Sequence, residues 1–156
     1  MADQLRQELD RLLQGHGAHA TFDDAIKGLP ERLRGTKPQN CPHSAWELLE
    51  HLRIAQWDML EFSRDPRHKS PAWPSGYWPS TAEPPDPKAW DRSVDSFRAD
   101  NQKMRDLVAN RDSDLFTPFA HGDGQNLVRE ALQMADHNAY HIGELVFLRR
   151  ILRTWG

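Results

Sequence analysis

The sequence predicts an all-α fold, a four-helix bundle in one domain spanning residues 1–156. Apolar residues recur at three-and-four spacing in its main segments, the period of a helix with one buried face. No segment alternates with period two for long enough to form a sheet, and there is no internal repeat.

The elements follow in order. Leu5, Leu9, Leu12 and Leu13 share one spacing, Gly15 and Gly17 interrupt it, and Phe22, Ala25, Ile26 and Leu29 resume it, so this region is one interrupted helix or two short ones. Gly35, Pro38 and Pro42 break the next stretch. Ser44 then stands as the N-cap of a second helix running from about Ala45 to Phe62. Leu48, Leu52, Ala55, Met59 and Phe62 form its inward stripe, with Arg53 and Gln56 on the polar face. From Ser63 to Pro85 runs a Pro- and Trp-rich connection, too long and too aromatic for a simple turn, of the kind that crosses a bundle or covers a site. Asp86 reads as an N-cap with Pro87 at the first helical position, and Trp90, Val94, Phe97, Asn101, Met104 and Val108 make the third helix. Asn126 caps the last helix, whose stripe is Met134, His137, His141, Leu145, Leu148 and Leu152.

Composition narrows the function. A net charge of -3 lacks the basic surplus that phosphate-backbone binding needs, so nucleic acid is not an expected partner. Cys41 is the only cysteine, which rules out an intramolecular disulfide and suits a reducing cytoplasm. The N-terminal segment lacks the apolar run of a signal peptide or membrane span, so a cytoplasmic location without membrane insertion is expected.

The histidines carry the chemistry. His137 and His141 are four apart, so they leave one helix face about one turn apart, at chelate spacing. Both sit in the apolar stripe, where unpartnered imidazoles are costly to bury and a metal ion would supply the partner. His51, between Leu48 and Ala55 on the second helix, faces the same interior and offers a third nitrogen. Three neutral nitrogens leave a fourth position open, as catalytic zinc sites do. One divalent ion is expected, zinc by default, with nickel, iron and copper also suited to imidazole. Such an ion lowers the pKa of a bound water or thiol, or polarises a carbonyl.

Around the histidines lie further candidates. Asp58 and Glu47, on nearly the same face as His51, read either as proton acceptors or as rim charges paired with Arg or Lys. Asp136 and Glu144 flank the histidine pair, with helical geometry turning Asp136 away. Trp73, Tyr77 and Trp78 either anchor the long connection or wall a substrate pocket. Asn101 is a register-setting polar residue or a pocket donor. His16, His19, His43, His68 and His121 read as loop, cap or surface residues.

Two segments, PHSAWELLEH from Pro42 to His51 and DHNAYHIGEL from Asp136 to Leu145, carry a family resemblance. With the WPSGYWP connection and the HGDGQ turn, the chain resembles the DinB-like superfamily from about residue 5 to the C-terminus. That resemblance implies an up-down-down-up four-helix bundle, a homodimer, and a three-histidine metal site with ligands at His51, His137 and His141. It is also similar to thiol-dependent transferases and isomerases that use mycothiol or bacillithiol, in which a metal activates a low-molecular-weight thiol cosubstrate. The expected function is therefore a metal-dependent enzyme acting on a small-molecule substrate, of S-transferase type. A metal-dependent hydrolase and a non-catalytic metal-binding or stress-response bundle are the alternatives. No residue matches a motif for contacting the thiol.

Overall fold

The break after Leu13 resolves the first region into two helices, α1 (Ala2–Leu13) and α2 (Phe22–Ile26), in a computed structural model that describes residues 2–156. Gly15 ends the first by turning to φ 70°, where its N–H bonds the Leu12 carbonyl at 2.9 Å. A capping box starts the second: Thr21 Oγ1 accepts from the Asp24 N–H at 3.1 Å, and the Asp24 carboxylate accepts from the Thr21 N–H at 3.0 Å. Three long helices follow, α3 (Ala45–Arg64), α4 (Ala89–Ala109) and α5 (Leu127–Ile151). Among the described residues there is no strand, and no helix is long and apolar enough to cross a membrane.

Ser44 caps α3 as expected, and Glu47 completes its capping box by accepting from the Ser44 N–H at 2.8 Å. Leu48, Leu52, Ala55 and Met59 are buried, whereas Phe62 is only half-buried. The assignment of Gln56 to a polar face needs correcting, because it is 0% exposed. The reason is placement: α3 packs against both α4 and α5, so two of its faces are covered, and a single-stripe reading sees only one. The expected start of α4 also shifts. Asp86 does not cap the helix, which begins at Ala89 with no side-chain cap; its carboxylate accepts the Lys88 N–H at 2.9 Å and pairs with Arg92, closing a turn instead. Asn126 does cap α5, accepting from the Arg129 N–H at 2.9 Å.

Like α3, α1 packs on both α4 and α5. The core falls into two apolar clusters, one around Leu49, Leu52, Trp90, Phe97 and Leu145, the other around Leu9, Leu60, Met104 and Met134. Each fully buried Leu or Met there stabilises the fold by about 2–5 kcal/mol against truncation to Ala. On α3 the clusters meet between Leu52 and Ala55, and on α5 between Ala135 and Ile142. Three of the buried polar residues of these two helices, His51, Gln56 and Asn138, fall near this seam. Residues 65–88 connect α3 to α4, and their 3₁₀ turn, Ser75–Tyr77, packs against α3.

Candidate metal centre

Helix α3 supplies His51 and α5 supplies His137 and His141, and packing of the two helices brings all three side chains to one point. His51 is 4% exposed. Its Nε2 lies 3.1 Å from His141 Nε2 and 3.0 Å from His137 Nε2. Nitrogens on a tetrahedral ion with metal–nitrogen bonds of about 2.0–2.1 Å are roughly 3.3 Å apart, so the donors stand near the spacing one ion requires.

The far sides of the rings fix which nitrogen faces inward. His51 Nδ1 lies 2.9 Å from the Tyr77 carbonyl, which can only accept, so the Nδ1 carries the proton. His141 Nδ1 lies 2.6 Å from Glu144 Oε2, which as a carboxylate also accepts. Both Nε2 atoms therefore present lone pairs to one another at 3.1 Å, an arrangement that repels unless a cation lies between them. His137 Nδ1 is buried without a hydrogen-bond partner.

Burial also keeps the cluster neutral, the form that ligates. The His137 pKa is pushed down to about 3 by desolvation and then by the neighbouring His141 and His51, and that of His141 to about 4 by desolvation and then by His51. The His51 pKa is lowered too, mainly by desolvation. The residues present thus fit a divalent ion: three neutral donors from two helices, two of them oriented from behind.

Trp78 joins the centre, with its ring flat on His51 at a centroid distance of 4.0 Å. Other expected residues are placed elsewhere. Trp73 is 78% exposed and touches Tyr77 edge-on, away from the histidines. Asn101 is half-buried, donating to the Leu13 carbonyl at 3.1 Å and to Gln56 Oε1 at 3.3 Å, and lines a cavity of about 640 Å³ between α1, α4 and α5 rather than the histidine cluster. The Glu47 carboxylate is taken up by the cap and by Lys37 at 2.7 Å. Asp58 accepts from the Tyr77 hydroxyl at 2.6 Å and meets His68 Nε2 at 2.7 Å, fastening the connection to α3. His68 is thus a loop residue, one of the expected alternatives, with its side chain packed rather than exposed.

Glu144, which flanks the pair in the sequence, lies one turn beyond His141 on the same face and reaches its ring. Two further contributors have no sequence signal. The Tyr77 carbonyl is a backbone atom and leaves no signal. His43 stacks on the far face of Trp78 at 4.0 Å and 15°, a contact made across the long connection that spacing cannot report. His43 and Glu144 also border a cavity of about 380 Å³, walled by Leu48, Phe147 and Leu148.

A comparison with curated proteins finds no match, and neither does one with solved structures. A family model does match, described as the DinB superfamily, over residues 3–145. That span runs from α1 through both segments that supply the converging histidines, and on this match the chain belongs to the DinB superfamily.

Proposed function

We propose that the protein is a metal-dependent enzyme of S-transferase type, which activates a small thiol at His51, His137 and His141. The observation that carries this reading is the one-sided donor set: three neutral imidazoles converge from two helices, with no fourth His, Cys, Asp or Glu side chain joining the group among the described residues. A divalent ion held there, zinc by default and otherwise nickel, iron or copper, supplies a Lewis acid that lowers the pKa of a bound thiol.

The chain's own residues do the remaining work. The Tyr77 carbonyl and Glu144 keep the Nε2 atoms of His51 and His141 inward. Trp78 excludes water from one face of His51. Asp58 and Glu47 already hold the connection and the helix cap, and His43 stacks on the face of Trp78 away from His51, so a proton released by the thiol passes to solvent. The 380 Å³ cavity beside His43 and Glu144 takes the apolar part of the small-molecule substrate against Leu48 and Phe147.

Elemental analysis of protein purified without chelator or affinity tag tests the site, followed by turnover assays with and without a small thiol. One divalent ion per chain is expected, lost in His51→Ala with helicity retained, together with turnover that requires the thiol. Metal-free native protein, or an unchanged ion content in His51→Ala, overturns the site; ester hydrolysis that proceeds without thiol overturns the transferase reading in favour of a hydrolase.

A further inference from the structure

Two buried polar atoms beside the metal centre have no hydrogen-bond partner, His137 Nδ1 and Asn138 Oδ1. They belong to adjacent residues, and they are complementary: one can donate and the other can only accept. We propose that Asn138 is the positioning residue of His137, its Oδ1 accepting the Nδ1–H so that the lone pair of Nε2 is directed at the ion.

The orientation of each amide follows from the one before it, beginning at a backbone atom. The Phe97 carbonyl can only accept, so the Gln56 side-chain atom 2.6 Å from it is the donor Nε2. Gln56 Oε1 is then the acceptor for Asn138 Nδ2 at 2.9 Å, and also for Asn101 Nδ2 at 3.3 Å. With Nδ2 committed to Gln56, the atom left to Asn138 is Oδ1. An acceptor beside His137 selects the Nδ1–H tautomer, which leaves Nε2 free, 3.0 Å from His51 Nε2. All three histidines then share one pattern: Nδ1 held by a carbonyl, a carboxylate or an amide oxygen, and Nε2 facing inward. Gln56 is 0% exposed and Asn138 7%, so these bonds are made largely out of water, although Asn138 also borders the 640 Å³ cavity. The buried amides at the seam of the two apolar clusters thereby connect α4, through α3, to the ligand on α5.

The inference rests on the three-histidine reading, and zinc binding by the unaltered protein tests that reading separately. Asn138→Asp and Asn138→Leu both remove the donor to Gln56, but only Asp keeps an acceptor for His137. Zinc affinity, measured by competition with a chromophoric chelator, is expected to fall about 10–100-fold in Asn138→Leu and to stay near the unaltered value in Asn138→Asp. The visible spectrum of the cobalt(II)-loaded proteins should follow the same split. Equal losses in the two variants, or no loss in either, overturns the positioning role while leaving the site intact; absence of zinc binding in the unaltered protein overturns the site itself. Should Asn138→Leu fail to fold, zinc-loaded Asn138→Asp decides by NMR: the His137 Nδ1–H resonance moves downfield against a carboxylate acceptor, and an unmoved resonance overturns the proposal.

Discussion

The Trp78 indole stacks on the His51 imidazole, with ring centroids 4.0 Å apart and planes 1° from parallel. The residue before it, Tyr77, supplies the carbonyl that holds His51 Nδ1. Two consecutive residues of the long connection therefore fix one ligand, Tyr77 along its ring plane and Trp78 across it. A stacked aromatic pair contributes about 0.5–1.5 kcal/mol beyond area burial. Trp78→Ala should accordingly lower zinc affinity by roughly two- to tenfold while far-ultraviolet circular dichroism stays unchanged. Chelator competition on both proteins is the measurement, and equal affinities would show that Tyr77 alone orients the ring.

Glu144 acts on the other side of the centre, 2.6 Å from His141 Nδ1. A carboxylate there fixes the tautomer and raises the basicity of the ligating nitrogen. Glu144→Gln keeps an acceptor and loses the charge, whereas Glu144→Leu loses both. Zinc affinity should fall in that order, by about 10–100-fold for Leu. Isothermal titration of zinc into the apoproteins gives the ranking directly.

How much of this was legible in the sequence depends on the range of each interaction. Capping at Ser44 and Asn126 is local, set within three residues, and the structure follows the sequence there. The chelating pair on α5 is equally local. His51 was within reach because its helical face is fixed by Leu48 and Ala55. Gln56 was misplaced because burial on two sides of α3 is a tertiary fact: the same residue on a helix with one covered face would be solvated. Asp86 misled because an Asx turn and an N-cap use the same side-chain oxygen on a nearby N–H. The separation of Trp73 from Trp78, one exposed at the tip of the connection and the other on His51, depends on how residues 65–88 fold back on α3, and no periodicity encodes that.

The connection is held down at Asp58, which receives both the Tyr77 hydroxyl and His68. The Tyr77 pKa is pushed up to about 12, by desolvation first and by the bond to Asp58 next, so the hydroxyl keeps its proton and remains the donor across the working pH range. Removing it in Tyr77→Phe leaves a buried carboxylate short of one partner, a loss of about 1–3 kcal/mol. Urea denaturation should report that loss, and limited proteolysis should cut faster within residues 65–88. The Tyr77 carbonyl is untouched, so zinc affinity should change far less than in Trp78→Ala.

Glu130 presents a different case, a largely buried carboxyl whose burial outweighs the help it receives from Arg129. It is 5% exposed and makes no side-chain hydrogen bond among the described residues. Its pKa is raised above the ordinary 4.5, chiefly by desolvation, with nearby Asp58 adding to the rise and Arg129 opposing it. The sign of the pH effect follows. As pH climbs past 4.5 the unfolded chain gives up this proton first, so the native state holds more protons and stability declines until the native group also ionises. Glu130→Gln keeps the shape and removes the titration. It should be more stable than the unaltered protein at pH 7, by on the order of 1 kcal/mol, with the advantage shrinking as pH falls towards 4. Urea denaturation of both proteins across that range decides it: a difference that stays constant with pH would mean that Glu130 is not the titrating group, whereas one that closes on acidification assigns the cost to its ionisation.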